Sequence, residues 1–243
     1  MSIIEVNELK KSFKDVNAIN GLTLSVNKGE LFSLLGENGA GKTTAIKVLC
    51  GLLSADSGSV RLFETTYSEN EESIKSRINL SPQESAFAPY LTVEENVKLI
   101  ASLYGLDREE MQKRTEEVIN TLSLNEVKKR KAKTLSGGTK RRLSIAMALV
   151  TKPEILFLDE PTLGLDVRAR RELWKVIESL KGKVTVILTT HYMEEAEALS
   201  NRVGIMQKGK LIALGTVDEL LSLSGGKNLE EAFLNLTGGK DYE

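Results

Sequence analysis

Apolar and polar positions divide the chain into strand-like and helix-like segments. Three short apolar stretches near the start, separated by Lys, Asn and Gly turns, predict strands at residues 3–6, 19–26 and 31–35. Two later runs, at residues 155–158 and 184–189, lack polar alternation, as expected of strands buried on both faces of a parallel sheet. Residues 79–81 are a further, shorter candidate strand.

Helical spacing fills the intervals between these strands. A helix is predicted over residues 41–52, directly after the third strand. Two more are predicted within residues 92–124, where Thr92 and Asp107 each stand three residues before a Glu, as in a capping box. An amphipathic helix over residues 169–180 separates the two buried strands. Strands alternating with helices are typical of an α/β fold.

The pattern changes again after the second buried strand. Residues 203–206 and 210–213 flank a Lys–Gly turn and predict a hairpin, and Thr216 is placed to cap one more helix. Residues 222–243 contain two Gly–Gly pairs and are interpreted as a short, loosely attached C-terminal tail. The predicted fold is therefore α/β, with a strand-rich N-terminal part, a helical insertion and a mainly parallel sheet.

Composition and charge exclude several classes of protein. Of 243 residues, 41% are hydrophobic and only four are proline, which argues against wholesale disorder. A formal net charge of −1 provides no overall field to attract nucleic acid or an anionic membrane. We find no apolar run of the ~18 residues that a membrane span needs, and no apolar signal segment at the start. We expect a cytosolic chain whose membrane role is peripheral.

Several conspicuous residues are interpreted as structural. The basic run at 128–133 is expected to be a solvated loop, because it lacks aromatic side chains that could read bases. Cys50, the single cysteine, is expected to be a small core residue, and Trp174 a packing residue on its helix. A solvated helix face is expected for three acidic residues, Glu194, Glu195 and Glu197.

One segment matches the eight-residue phosphate-binding loop and lies between a predicted strand and a predicted helix: Gly36, Glu37, Asn38, Gly39, Ala40, Gly41, Lys42 and Thr43. Its glycines let successive backbone N–H groups turn toward a phosphate, and the following helix presents its positive N-terminal end there. Lys42 is then expected to reach the β- and γ-phosphates of a nucleotide. Thr43 is expected to bind Mg²⁺ through its hydroxyl.

A pair of acidic residues directly follows one of the buried strands. If the strand at 155–158 neighbours the strand before the phosphate loop, Asp159 reaches the carboxyl edge of the sheet and can hold Mg²⁺ through water. Glu160 then faces the γ-phosphate, where a carboxylate can orient and polarise an attacking water. These two residues are the predicted second half of the nucleotide site.

The order of several motifs resembles that of ATP-binding cassette (ABC) ATPases. The motifs are Gln83, Leu135–Ser136–Gly137–Gly138 before a helix predicted at 139–150, Asp159–Glu160, Gly164–Leu165–Asp166 and His191. The resemblance covers residues 2–221 and implies a P-loop NTPase (RecA-like) core with an N-terminal antiparallel β subdomain. It also implies an inserted α-helical subdomain at about 87–150.

The resemblance also implies a role for each matching residue. Gln83 would contact Mg²⁺ and the attacking water, Asp166 would communicate between two sites, and His191 would contact the γ-phosphate. The loop and Thr44 would bind ATP, with Phe13 stacking on adenine. Two chains would sandwich two ATP molecules between them. Each chain would bind the ATP held by the other chain through its own Ser136, Gly137 and Gly138.

Departures within the signature indicate a subclass. Thr139 replaces the commoner glutamine and is followed by three basic residues, which resembles ABC-2 exporters such as sodium-extrusion and drug-resistance ATPases. This implies an ATPase on the inner face of the membrane, an identical second cassette as partner, separate transmembrane permease subunits and no nucleic acid. An importer subunit and a soluble assembly ATPase, as in iron–sulfur cluster biogenesis, remain alternatives.

Overall fold

A computed structural model describes residues 1–84 and 86–238. The strands are β1 Ser2–Phe13, β2 Val16–Asn27, β3 Leu31–Leu35, β4 Ser57–Leu62, β5 Ile78–Ser81, β6 Ile155–Asp159, β7 Thr185–Thr190, β8 Arg202–Gln207 and β9 Lys210–Gly215. The helices are α1 Lys42–Leu49, α2 Tyr67–Arg77, α3 Val93–Leu103, α4 Arg108–Thr121, α5 Gly137–Leu149, α6 Val167–Glu178, α7 Met193–Leu199, α8 Val217–Ser224 and α9 Leu229–Thr237. The predicted α/β class is confirmed.

Two sheets organise the chain. The first is antiparallel, with the order β2-β1-β4. The second has the order β5-β6-β7-β3-β8-β9 and is parallel except for the β8–β9 hairpin. The predicted antiparallel N-terminal part, parallel sheet and hairpin are therefore confirmed. The prediction for Asp159 assumed that the strand before it, β6, neighbours β3, the strand before the phosphate loop. This assumption is wrong, because β7 lies between β6 and β3.

The sequence pattern missed β4 and α2. In β4 only Leu62 is buried, and in α2 only Ile74 is, so neither element carries the apolar repeat on which the predictions depend. β4 owes its place to hydrogen bonding with β1. Tertiary pairing therefore decides its conformation where local preference is weak.

Predicted helix starts agree with the structure. Thr92, Asp107 and Thr216 each accept a hydrogen bond from the backbone N–H three residues later, as N-caps do. The helix predicted at 139–150 begins earlier, at Gly137, because the Ser136 side chain caps it. The solvated loop at 128–133 is confirmed for its charged residues, all of which are exposed.

The parallel sheet separates two apolar layers. Because side chains alternate along a strand, Leu156 and Leu158 pack with helices α3 to α6, whereas Ile155 and Phe157 pack with α1 and the antiparallel sheet. Cys50 is buried in the second layer, as predicted, and burial raises the pKa of its thiol.

A third apolar cluster joins the hairpin to α7, α8 and α9. Leu229 and Phe233 of α9 are buried in it, so the interpretation of a loosely attached tail is wrong for residues 229–237. Residues 239–243 lie outside the described residues. Within 1–84 and 86–238, none of the helices combines the length and the hydropathy that a bilayer span requires.

Candidate nucleotide site

The phosphate loop runs from the end of β3 to the start of α1 and is packed too closely for larger residues at two positions. A Cβ added at Gly36 would lie 2.4 Å from the carbonyl oxygen of Met206, and one at Gly41 would lie 2.2 Å from that of Ala18. Gly41 also has a φ of 102°, which disfavours any residue with a side chain. The glycines thus let the loop fold against β8 and β2.

Lys42, the first residue of α1, is 4% exposed. Its Nζ donates to the carbonyl oxygens of Gly36, at 2.7 Å, and Glu37, at 3.0 Å, and lies 3.4 Å from Oε1 of Glu160. Burial lowers the pKa of Lys42, while Glu160 and Asp159 act in the opposite direction. The loop therefore holds a positive charge beside two carboxylates, where phosphate oxygens can replace its carbonyl partners.

Asp159 reaches the phosphate loop across β7. Its Oδ1 accepts hydrogen bonds from the hydroxyls of Thr43, at 3.1 Å, and Thr189, at 2.6 Å. The register of β6 with β7 pairs Asp159 with Thr189, which explains how the intervening strand supports the acid. Thr189 was missed from the sequence, although its place at the end of a buried strand was visible.

The residues around Asp159 have the ligand chemistry of a magnesium site. A carboxylate, the Thr43 hydroxyl and the Gln83 amide supply only oxygen, which Mg²⁺ prefers. The described residues contain no cluster of three His, Cys, Asp or Glu side chains that could hold a metal. This donor set therefore fits an ion that binds one carboxylate and takes other ligands from phosphates and water.

Glu160 occupies the centre of the site and is 7% exposed. Its Oε1 faces Lys42, and its Oε2 lies 3.3 Å from Nδ1 of His191. The His191 ring lies against Tyr192, with centroids 4.1 Å apart. The structure thus brings Glu160 and His191, two of the three predicted catalytic residues, to the carboxyl edge of the sheet, and the third, Gln83, lines the same cavity as Glu160.

A cavity of about 430 Å³ opens in front of these groups. It is lined by Val16, Ala18, Asn38, Gly39, Gly41, Lys42, Thr43, Thr44, Gln83, Glu160 and Leu163. The prediction missed three of these, Val16, Ala18 and Leu163, because no sequence motif marks the apolar residues that line a cavity. A larger cavity of about 860 Å³ lies at the opposite ends of the strands, beside Gly29 and Thr185, away from the phosphate loop.

Phe13 does not line this cavity, but it pairs across the β1–β2 hairpin with Val16, which does. Its side chain is partly solvated, since the residue is 46% exposed, and the Nζ of Lys11 lies 5.6 Å from its ring centroid. An exposed ring at the mouth is available for stacking. Its predicted role in adenine binding stays a prediction.

Ser136, Gly137 and Gly138 form the start of α5 and do not line the cavity of their own chain. A Cβ at Gly138 would lie 2.9 Å from that of Ala169, so this glycine permits close packing of α5 on α6. Asp166 is the N-cap of α6 and accepts from the Ala169 N–H at 2.9 Å. Ser136, Gly137 and Asp166 are exposed, and a Cβ at Gly137 would lie 3.8 Å from the side chain of Leu165, the residue before Asp166.

The predicted solvated helix face is wrong for one of its three acidic residues. Glu195 does not lie on a solvated helix face, because it is 0% exposed. Its Oε1 accepts a hydrogen bond of 3.0 Å from Nε1 of Trp174, and burial raises the pKa of the carboxyl. Helix α7 turns this residue toward α6, an orientation that a run of acidic residues does not reveal. Trp174 is a packing residue, as expected, with this added polar contact.

Comparison with known proteins agrees with this geometry. The sequence profile of the family described as "ABC transporter" matches residues 19–163. The chain belongs to the ABC transporter family. It is 39% identical over 241 residues to the Linearmycin resistance ATP-binding protein LnrL of Bacillus subtilis, covering 96% of this chain and 78% of that protein. It is 37% identical over 232 residues to the Nod factor export ATP-binding protein I of Paraburkholderia xenovorans, covering 95% and 76%.

A solved structure described as an ATP binding subunit of an ABC transporter matches the fold of this ABC protein. The TM-score is 0.85 at 29% identity, over 97% of this chain and 99% of that chain. The predicted family, its ATPase activity and its cassette fold are confirmed. ATP is thus the nucleotide that this domain binds.

Proposed function

We propose that this chain hydrolyses ATP in the cavity between the phosphate loop and Glu160, and that it powers an ABC exporter. The observation that carries the proposal is the placement of the Glu160 carboxylate between the Lys42 ammonium and the His191 ring, beside Asp159. This is a base, a cation and an imidazole ring at the place where the terminal phosphate of ATP would lie. Positioned charges of this kind account for most catalysis of phosphoryl transfer.

Each residue has a part in the proposed reaction. Lys42 and the backbone N–H groups of the loop bind the β- and γ-phosphates. Thr43, Asp159 and Gln83 would hold Mg²⁺, whose charge offsets that of the phosphates when it is bound. Glu160 orients the attacking water and accepts its proton. His191 contacts the γ-phosphate and, by lying against Oε2, limits the motion of Glu160.

The second chain is proposed to be another copy of this one. The exposed Ser136 hydroxyl and the free N–H groups at the start of α5 can bind a γ-phosphate held by the partner, and Asp166 lies on the same surface region. ATP binding would close this dimer, and hydrolysis would reopen it. Residues 2–221 form the nucleotide-binding domain in this proposal, with the helices at about 87–150 as its inserted subdomain.

Export is the direction that the relatives support. One relative is named for resistance to linearmycin and another for Nod factor export, so outward movement of a compound suits this chain better than import or an assembly role. We propose that separate permease subunits form the membrane path and that this chain acts from the inner face of the membrane. Transport of a fluorescent compound into inside-out vesicles that hold the complex would test the direction.

The decisive test of hydrolysis is Glu160→Gln in the purified full-length chain. Glutamine keeps the size of the side chain but cannot accept a proton, so kcat is expected to fall ~10²- to 10⁴-fold. Binding of ATP in Mg²⁺ should persist, because Lys42 and the loop are unchanged, and an ATP-bound dimer should accumulate. Phosphate release and size-exclusion chromatography measure the two effects.

Glu194→Gln is the matched control, since Glu194 is an exposed carboxylate in α7 near His191. Its turnover should equal that of the parent. Phosphate release at a normal rate from Glu160→Gln would contradict the proposed base. Loss of ATP binding from the same variant would show instead that Glu160 serves the nucleotide pocket.

A further inference from the structure

The helix that begins at Ser136 carries a buried arginine. Arg141 is 5% exposed, and its guanidinium donates five hydrogen bonds to backbone carbonyl oxygens. Nε donates to Pro161 at 2.7 Å, Nη1 to Pro82 and to Gln83 at 3.1 Å, and Nη2 to Asp159 at 2.8 Å and Glu160 at 2.6 Å. A guanidinium has five N–H groups, so each of them has a carbonyl partner.

These carbonyls belong to two separate segments, 82–83 and 159–161. The first includes Gln83, which lines the nucleotide cavity, and the second includes both acids of the site. Among the described residues, the direct partners of the Arg141 charge are these backbone carbonyls, and the nearby charges of Asp159, Glu195 and Glu160 favour it from a longer distance. A buried charge without such partners would be strongly destabilising. Geometry therefore ties α5 to both segments at once.

Glu160 needs support because its backbone is strained. Its φ is 45°, in the left-handed region that residues with side chains avoid. Such a conformation costs of order 1–3 kcal/mol and persists only where neighbours enforce it. The Glu160 N–H donates to Oγ1 and the carbonyl oxygen of Thr189, at 3.0 and 3.1 Å, while its own carbonyl accepts from Arg141. Strand β7 and helix α5 thus hold the peptide from two sides.

We propose that Arg141 is a positioning residue for hydrolysis, which fixes Glu160 and the Gln83 segment to the helix that begins at Ser136. This rests on the proposed role of Glu160. In the proposed dimer, Ser136 binds the ATP held by the partner chain, whereas Glu160 acts on the ATP of its own chain. Arg141 therefore links the two ATP sites of the dimer. A shift of α5 when its start binds the partner's phosphate would move the backbone of the base.

A second arginine provides a matched control at the other end of the same helix. Arg114 donates to the carbonyl oxygens of Leu149, at 2.9 Å, and Val150, at 3.3 Å, where α5 ends. It makes no contact with segments 82–83 or 159–161 among its hydrogen bonds in the described residues. Arg114→Met therefore removes a guanidinium of α4 that donates to carbonyl oxygens at the end of α5. The hydrogen bonds that support Glu160 stay in place.

The test compares Arg141→Lys and Arg141→Met with Arg114→Met in the purified full-length chain. A lysine has its donors on one nitrogen and cannot span both segments. Loss of positioning should lower kcat by about 10²-fold, the effect of misplacing a reacting group by about 1 Å. The Kd for ATP should change less than about threefold, because the phosphate loop is untouched. Arg114→Met should keep the parental kcat.

A double-variant experiment separates positioning from a general structural effect. In a Glu160→Gln background, adding Arg141→Lys should cause no further fall in kcat if Arg141 acts through Glu160. A further fall of the full size would overturn the proposal, as would a normal kcat in Arg141→Lys. If Arg141→Met does not fold, Arg141→Lys and the double variant Arg141→Lys, Glu160→Gln still test the proposal. A normal kcat in Glu160→Gln would instead overturn the proposed function itself.

Discussion

At the scale of single residues, buried charge marks the functional region. Most charged side chains that are buried in the described part of the chain lie around the nucleotide cavity, namely Lys42, Arg141, Asp159, Glu160 and Glu195. Glu30 is an exception at the opposite ends of the strands, where Arg202 pairs with it at 2.7 Å. Charges are costly to bury, so such a concentration calls for a functional reason. Sequence motifs pointed to three of these residues but not to Arg141 or Glu195.

Glu195 leads to a prediction about pH. Since burial raises its pKa, the folded chain binds more protons than the unfolded chain from about pH 4.3, the usual Glu pKa, up to the raised value. The free energy of unfolding therefore loses this contribution as pH rises through that interval. Glu195→Gln cannot titrate and still accepts from Trp174. Its stability relative to the parent should increase between pH 4.5 and pH 7.5.

Urea unfolding followed by circular dichroism at several pH values measures this difference. Glu194→Gln, at an exposed neighbour in α7, is the control variant, and the pH-dependent change in stability should be larger for Glu195→Gln than for this control. A constant offset for Glu195→Gln would mean that the carboxyl does not gain protons on folding.

At the scale of elements, local chemistry decides where helices begin. α3 starts with a capping box: the Glu95 N–H donates to Oγ1 of Thr92 at 3.2 Å, and the Thr92 N–H donates to Oε2 of Glu95 at 2.7 Å. The same arrangement opens α8 at Thr216. These starts could be predicted, since the partners stand three residues apart in the chain. β4 could not be, since its partner β1 is distant in sequence. α2 begins with the same spacing, at Thr66 and Glu69, so its start carried a signal that the prediction missed.

Thr92→Ala tests the weight of one cap. Loss of the side-chain acceptor leaves the Glu95 N–H without its partner and is expected to lower the free energy of unfolding by about 1 kcal/mol. Chemical unfolding measures the change, and Thr92→Ser, which keeps the hydroxyl, should retain most of the stability. kcat should be unchanged, because Thr92 is not part of the nucleotide site. Equal stability of the Ala and parent proteins would show that the cap contributes nothing.

At the scale of the whole molecule, the site is assembled across the sheet. The phosphate loop follows β3, Asp159 ends β6 and Glu160 follows it, and His191 follows the strand β7 between β6 and β3. The carboxyl ends of parallel strands share one edge, where ligands of such sheets bind. The start of α5 is directed to the surface instead, which is why a second chain is proposed to complete each site.

Cysteine cross-linking tests this assembly. Cysteines at the exposed positions Asn38 and Ser136, in a Cys50→Ser and Glu160→Gln background, should form ATP-dependent bonds between chains. The background removes the native thiol and slows hydrolysis, so the ATP-bound dimer persists. Cysteines at Lys28 and Ser136 are the control pair, because Lys28 lies at the opposite ends of the strands. Bonds found only within one chain would refute the sandwich.

The phosphate loop, the acidic pair, most helix starts and the buried strands could be predicted, because neighbouring residues or a short repeat specify each of them. Three other features depend on how the chain packs: β7 separates β6 from β3, Thr189 supports Asp159, and Arg141 joins segments 82–83 and 159–161. These contacts join residues far apart in the chain through backbone carbonyls and single hydroxyls. Such groups occur in every sequence, and folding alone selects the ones that meet.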